Sequence, residues 1–310
     1  MLLSGNTHHN KKMATFVETP QGDTKQENYS VYIEQKDENG QDFAKIVEDG
    51  NVIYLVVLDG HGKHKKGSLP EGKDDVITWL QTTFDWDNFL KSNSDNPIME
   101  LQYAIAGEYE FTSGIGACCT IAKVTDEKIT MWWVGDSKMK VFEGENLVGE
   151  TKIIREYDAA EQNRQANQLL RITCSNSHNI KILSGTEMTM KPSKYYNVLT
   201  KKGFDKVACI QSLGHDLAYG ETNNKVEIDF EAGKIYKVVG GSDGLWDMIS
   251  ETESDKSLVC DPEIGAEGLV HLASLRWRQE WVYVWQDSRI PNQKIPNPDD
   301  ICCVTLCKSL

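Results

Sequence analysis

Three aspartates stand at the boundaries of β-rich runs, far apart in the chain. Asp59-Gly60-His61-Gly62 follows the apolar run 52–58, Asp243-Gly244 follows 236–242, and Asp299-Asp300 precedes the apolar run 301–306. Carboxylates held at strand ends can bring their tips together, and gathered oxygen ligands suit hard divalent cations such as Mg²⁺ and Mn²⁺. A glycine after an aspartate lets the backbone turn sharply, so that its carbonyl can also approach a metal. Any one Asp-Gly pair is an ordinary turn dipeptide. The chemistry rests on the combination, with His61 and a second glycine after Asp59 and Leu245-Trp246-Asp247 after Asp243-Gly244.

The elements that must position these residues are mostly strands. The sequence predicts strands over 28–35, 53–58, 118–124, 128–134, 138–142, 226–230, 235–239 and 301–306, from β-branched and apolar content. Residues 53–58 are continuously apolar and read as a strand buried on both faces. Asn39-Gly40 is a hairpin signal after the first strand. Strands 118–124 with 128–134, and 226–230 with 235–239, read as adjacent pairs. Helices are predicted over 74–90 and 264–286, with helical character over 157–172. Residues 63–73 read as a basic loop, 173–216 as the least regular part, and 287–298 as a proline-bearing loop. Strands in hairpins with helices outside, and no βαβ alternation, predict an α+β fold with antiparallel sheets. Residues 1–13 read as a polar tail and 14–310 as a single domain.

The chain has 310 residues and a net charge of −14, which opposes a nucleic-acid or anionic-membrane partner. No apolar run reaches the length of a membrane span or a signal peptide, so an intracellular protein, cytoplasmic or nuclear, is expected. The eight cysteines include the pairs Cys118-Cys119 and Cys302-Cys303, both inside apolar runs. Neighbours in a strand point to opposite faces, so reduced, buried thiols are expected on two sides of a sheet. The basic stretch Lys63-His64-Lys65-Lys66 reads as a solvated loop. Trp277, Trp281, Val284 and Trp285 read as the packing stripe of a helix.

Here a resemblance emerges. Val57-Leu58-Asp59-Gly60-His61-Gly62 resembles the Asp-Gly-His-Gly motif of the metal-dependent (type 2C, PPM-like) serine/threonine protein phosphatases. Gly240-Gly241-Ser242-Asp243-Gly244-Leu245-Trp246-Asp247 is similar to that family's Ser-Asp-Gly-Leu-Trp-Asp motif. Val134-Gly135-Asp136-Ser137-Lys138 resembles its Val-Gly-Asp-Ser-Arg motif, and Asp299-Asp300-Ile301 its closing Asp-Asn motif. Gly116-Ala117-Cys118 falls where the family has Gly-Ser-Thr, and Gln211-Ser212-Leu213-Gly214 where it has Ser-Arg-Ala-Leu-Gly-Asp. The motifs come in the family's order.

The resemblance implies a four-layer α-β-β-α sandwich, two packed antiparallel β-sheets flanked by helices, with metals in a cleft at one end. It implies two Mg²⁺ or Mn²⁺ ions. Asp59 would bridge them, the Gly60 carbonyl would join one, and Asp243 and Asp299 would complete the other. Asp136 matches a third, weaker metal position, and Glu27 falls near the family's N-terminal acidic pair. The implied activity is hydrolysis of phosphoserine and phosphothreonine in protein substrates, by a metal-activated water and without a covalent intermediate. Two-metal sites lower the pKa of a bound water toward about 7 and neutralise charge on the phosphoryl oxygens. His61 is the candidate general acid for the departing oxygen; the alternative is a histidine that orients a ligand. A monomer is expected, and 173–216 falls where the family has a variable flap, as a substrate-selecting flap or a merely tolerated insertion.

The chain departs from the family's pattern in the phosphate-binding half. The family's N-terminal arginine has no counterpart in Gln21-Gly22-Asp23-Thr24-Lys25. Lys25 offers a point charge without the bidentate fork, or is an ordinary solvated lysine. The acidic pair has become Glu27-Asn28, Lys63 replaces a glycine, and Lys138 replaces an arginine. Two other readings follow: a catalytically weak or inactive pseudophosphatase serving as a scaffold, and a metal phosphohydrolase of small phosphate esters.

Overall fold

Two five-stranded antiparallel sheets lie face to face in a computed structural model of the chain. The structure describes residues 28–36, 39–62, 69–109, 115–152, 172–174, 179–182, 196–200, 203–207, 212–214, 224–249, 252–278, 280–285, 288–294 and 299–310. The first sheet contains β1 (Asn28–Glu34), β6 (Lys138–Glu143), β7 (Asn146–Glu150), β13 (Ile235–Gly241) and β16 (Ile301–Ser309), in the order β1-β16-β13-β6-β7. The second contains β2 (Phe43–Asp49), β3 (Val52–His61), β4 (Gly116–Val124), β5 (Lys128–Val134) and β12 (Lys225–Asp229), in the order β12-β5-β4-β3-β2. Smaller antiparallel sheets join β8 (Ile172–Cys174), β10 (Tyr196–Thr200) and β11 (Gly203–Val207), and β9 (Asn179–Ile182), β14 (Glu280–Trp285) and β15 (Ser288–Lys294).

The core follows from the period of two along each strand. On β3, Tyr54, Val56 and Leu58 pack outward beneath α1 (Val76–Thr82), α2 (Trp86–Lys91) and α3 (Pro97–Glu108). Ile53, Leu55 and Val57 alternate with them and meet Val238, Val304 and Leu306 of the other sheet. That sheet's outer face, with Val239, Ile301 and Cys303, is covered by α4 (Asp243–Trp246), α5 (Glu253–Cys260) and α6 (Ala266–Trp277). The result is the expected α-β-β-α sandwich, and a strand covered on both faces is apolar throughout for that reason. The six cysteines with described side chains are free thiols, and Cys302 and Cys303 pack on opposite faces of β16 as expected. No helix among the described residues is long and apolar enough to cross a membrane.

Several expectations are corrected. Asn39-Gly40 does not close a hairpin: β1 pairs with β16, while β2 pairs with β3. The Asp300 carboxylate instead accepts the backbone N–H groups of Lys36 (2.7 Å) and Gln41 (2.9 Å) as the chain passes between sheets. Strands β12 and β13 are not a pair either; β12 joins β5, and β13 lies between β6 and β16. The helix expected over 74–90 is two helices, because Asp85 caps a new one by accepting from Asn88 N–H at 3.1 Å. The helix expected over 264–286 ends at Trp277, and Glu280–Trp285 is a strand. Trp281-Val282-Tyr283-Val284-Trp285 is aromatic and β-branched, a composition that suits a strand. The stripe from Trp277 to Trp285 therefore belongs to no single helix. Part of the loop expected over 287–298 is strand β15. Helices α3 and α5 and strand β2 have no counterpart among the expected elements. Residues 1–13 and 157–171, and most of the 173–216 segment, lie outside the described residues.

Candidate metal centre

Three chain segments converge at one end of the sandwich. The first is the end of β3, where Asp59, Gly60 and His61 stand opposite Cys118, Ala117 and Gly116 of β4. The second is the junction from β13 into α4, where Ser242 precedes Asp243. The third is the start of β16 at Asp299-Asp300. Ser242 joins the last two: its N–H donates to the Cys302 carbonyl at 3.3 Å, and its Oγ accepts from Cys302 N–H at 3.1 Å. Gly244 is required by this approach, since a Cβ there would lie 1.9 Å from the Asp300 carbonyl oxygen. At Gly60, a Cβ would lie 2.7 Å from the Gln41 carbonyl oxygen.

The backbone N–H of Asp243 donates to Oδ2 of Asp59 at 3.3 Å, bringing together two of the expected ligands from different sheets. Both residues are part-buried, and the charge of Asp243 helps to raise the pKa of Asp59. Burial raises Asp59 most, followed by the charges of Asp243, Asp42 and Asp136. Burial also raises Asp243 most, followed by Asp136, Asp247, Asp299 and Asp42. Asp136 thus belongs to the same charge field. It follows Gly135, whose φ of 89° is a left-handed conformation that suits glycine as the chain leaves β5. Asp299 lies at the rim, with Oδ1 accepting from Asp300 N–H at 3.0 Å and Lys36 Nζ 3.5 Å away.

Two of these participants were missed by sequence reasoning. Asp42 is 3% exposed, and its Oδ2 has no hydrogen-bond partner among the described residues. Burial first of all raises its pKa to about 7; a bond from the Ser242 hydroxyl works against this, and Asp300 and Asp299 add to it. Asp42 precedes strand β2, so it has the same signal as the other three, an aspartate at a strand boundary. Lys36 was also overlooked, as the last residue before the turn. Glu27 and Lys25 lie outside the described residues. His61 is described, and its Nε2 lies 2.8 Å from the Ser212 hydroxyl. An open surface pocket of about 890 Å³ lies elsewhere, between α2 and α3 beside Asn93, Asn96 and Tyr103.

The donor set fits a hard cation in its chemistry. The groups are carboxylate oxygens, they repel one another, and one buried oxygen of Asp42 is orphaned. Among the described residues, no three His, Cys, Asp or Glu side chains gather closely enough to hold a metal by themselves. Mg²⁺ keeps several waters and takes only one or two protein carboxylates, so the Asp59–Asp243 pair suits it where a closed cage would not.

No known family profile matches the chain, and no curated protein matches it. Solved structures do. A C. elegans sex determining protein is similar at a TM-score of 0.50 and 13% identity, over 90% of this chain and 64% of that one. A serine/threonine phosphatase of S. agalactiae has a TM-score of 0.48 and 18% identity, over 92% of this chain and 100% of that one. The catalytic domain of the serine/threonine protein phosphatase PstP, in complex with two manganese ions, has a TM-score of 0.47 and 14% identity, over 92% and 99%. At these identities the likeness is one of fold alone.

Proposed function

We propose that this chain is a Mg²⁺- or Mn²⁺-dependent protein serine/threonine phosphatase that hydrolyses phosphoserine and phosphothreonine without a covalent intermediate. The observation that carries this reading is the contact of the Asp243 N–H with the Asp59 carboxylate, which brings together two part-buried residues whose carboxyls are both pushed up in pKa by burial and acidic neighbours, a repulsion that a cation would relieve. Asp59, Asp243 and the orphaned oxygen of Asp42 are the groups that would hold the ions, with the Gly60 carbonyl, Asp299 and Asp136 completing the set. Bound divalent cations supply Lewis acidity that lowers the pKa of water toward about 7 and offsets charge on the phosphoryl oxygens. The chain's own part is to hold, aim and protonate. His61, two residues beyond Asp59, holds the proton that the departing serine or threonine oxygen needs. Lys36 and Lys25 are the cations proposed to meet the substrate phosphate, Lys36 from beside Asp299.

A second reading, a scaffold of the same fold without turnover, is favoured by the absence of a three-residue metal cluster among the described residues. One experiment separates the two. Turnover of an aryl phosphate and of a phosphothreonine peptide is measured with Mn²⁺ and with chelator, for the native chain and Asp243→Asn, beside calorimetric Mn²⁺ binding. Metal-dependent turnover lost in the variant supports the enzyme. Metal binding without turnover selects the scaffold, and absence of both overturns the metal centre.

A further inference from the structure

We propose that Ser212 is the positioning residue of His61, holding the imidazole at the orientation from which it protonates the leaving oxygen. The inference rests on His61 acting as general acid in the function proposed above. Its geometry stands independently. His61 Nε2 and Ser212 Oγ are 2.8 Å apart, although 151 positions separate them in the chain. Ser212 is completely buried, so water does not compete for its hydroxyl.

The two residues after the serine are held by three hydrogen bonds. Leu213 N–H donates to the Ala117 carbonyl at 2.8 Å, and Ala117 N–H returns a bond to the Leu213 carbonyl at 3.1 Å. Gly214 N–H donates to Gln102 Oε1 of α3 at 3.0 Å. Gly116 makes room for the contact, since a Cβ there would lie 2.1 Å from the Leu213 carbonyl oxygen. On the other side of β4, Ala117 is the register partner of Gly60, and Gly116 that of His61. The histidine and the residue after the serine thus pair with adjacent residues of one strand, Gly116 and Ala117, and the Nε2–Oγ distance inherits the stiffness of that ladder.

A general acid must reach its target oxygen within hydrogen-bond range, so the angle of the ring matters as much as its charge. A hydrogen bond to one ring nitrogen fixes both the ring plane and the tautomer. A Ser212 hydroxyl that donates to Nε2 puts the neutral ring's proton on Nδ1; one that accepts leaves it on Nε2.

The test compares Ser212→Ala and Ser212→Thr with the native chain. An alkoxide leaving from a phosphothreonine peptide needs a proton, whereas p-nitrophenolate leaving from an aryl phosphate does not. Ser212→Ala is expected to lower kcat for the peptide by about 10- to 100-fold, within the ~10²–10⁴ a general acid contributes in full, and to spare the aryl phosphate. Ser212→Thr, which keeps the hydroxyl, is expected to restore the peptide reaction. Gln102→Ala, which loosens Gly214, is expected to give the same leaving-group pattern more weakly, and serves if Ser212→Ala does not fold. Independently of turnover, ¹⁵N shifts of the imidazole in metal-free protein are expected to report one tautomer in the native chain and a mixture in Ser212→Ala; the His61 signal is the one missing from His61→Gln. Equal loss on both substrates, or an unchanged ¹⁵N pattern, overturns the proposal. A native chain without turnover defeats the proposed function alone, and the ¹⁵N readout still decides whether Ser212 sets the ring.

Discussion

The N–H of Asp243 donates to the Oδ2 of Asp59 across 3.3 Å, tying the first residue of α4 to the end of β3 in the opposite sheet. Each carboxyl is held protonated more readily than usual by burial and by its acidic neighbours. The arrangement stores repulsion that a cation relieves. Neutralising one member is therefore expected to act in opposite directions on stability and on function. In chelator, Asp59→Asn or Asp243→Asn should stabilise the fold by about 0.5–2 kcal/mol, as commonly follows when a strained functional group is removed. In Mn²⁺, the same variants should lose activity by more than about 100-fold, since even the outer partners of metal ligands cost 10–100-fold. Denaturant unfolding with and without metal, beside initial rates, checks both directions.

Asp42 makes the metal-free protein sensitive to pH. Burial raises its folded-state pKa from 3.8 to about 7. The folded state therefore holds a proton that the unfolded chain releases. This contribution to stability is fully present below pH 3.8 and is lost as pH rises to about 7. Melting temperatures in chelator, measured from pH 4 to 8, should fall more steeply for the native chain than for Asp42→Asn, which carries no titrating group there.

Gly244 is expected to be intolerant of substitution. A methyl group at this position meets the Asp300 carbonyl oxygen at 1.9 Å, and both partners are backbone that cannot turn aside. Gly244→Ala should destabilise by about 1–3 kcal/mol or more, as overpacking does. It should also weaken Mn²⁺ binding by moving Asp243 away from Asp59. Unfolding and calorimetric titration of the same preparation measure both effects.

Arg276 and Asp255 provide a contrast far from the carboxylates. The guanidinium gives two bonds of 2.7 Å to the Asp255 carboxylate and a third, of 2.6 Å, to the Met248 carbonyl. The side chains are only 10% and 1% exposed. Arg276→Met should cost about 3–5 kcal/mol, because it strands a buried charge, and Arg276→Met with Asp255→Leu should recover much of that loss. Mn²⁺ affinity of the folded protein should be unchanged in both.

Lys36 and Lys25 are separated by their variants. A charged hydrogen bond to phosphate contributes about 1.5–3 kcal/mol, or roughly 10- to 100-fold in affinity. Lys36→Ala should raise KM for a phosphothreonine peptide within that range, and Lys36→Arg should lower it through the bidentate fork. If Lys25→Ala has the larger effect, the phosphate contact is assigned to Lys25.

Local pattern in the sequence nominated Asp59, Asp243 and Asp299, because glycine and an abrupt end to an apolar run are signals within a few residues; Asp136 was nominated only by the family resemblance. It also showed that residues 53–58 are covered on both faces, and that Cys302 and Cys303 point to opposite sides of β16. Strand partners were not legible, because a period of two says which face a residue takes and nothing about its neighbour. The turn at Asn39-Gly40 and the β12–β13 pairing were misread for that reason. The helical stripe ending at Trp285 was misread because large apolar residues four apart fit a helix and alternate ones fit a strand. Asp42 had the right signal and still went unseen, since its strand β2 is half exposed and weakly patterned. Its place beside Ser242 and Cys302 was decided only when two sheets packed face to face, and the meeting of Ser212 with His61 across 151 positions only when Leu213 bridged to β4 beside β3. Sequence pattern nominated aspartates at strand ends as candidate ligands; which of them meet follows from the packing of the sheets, because burial between layers is a property of the whole chain.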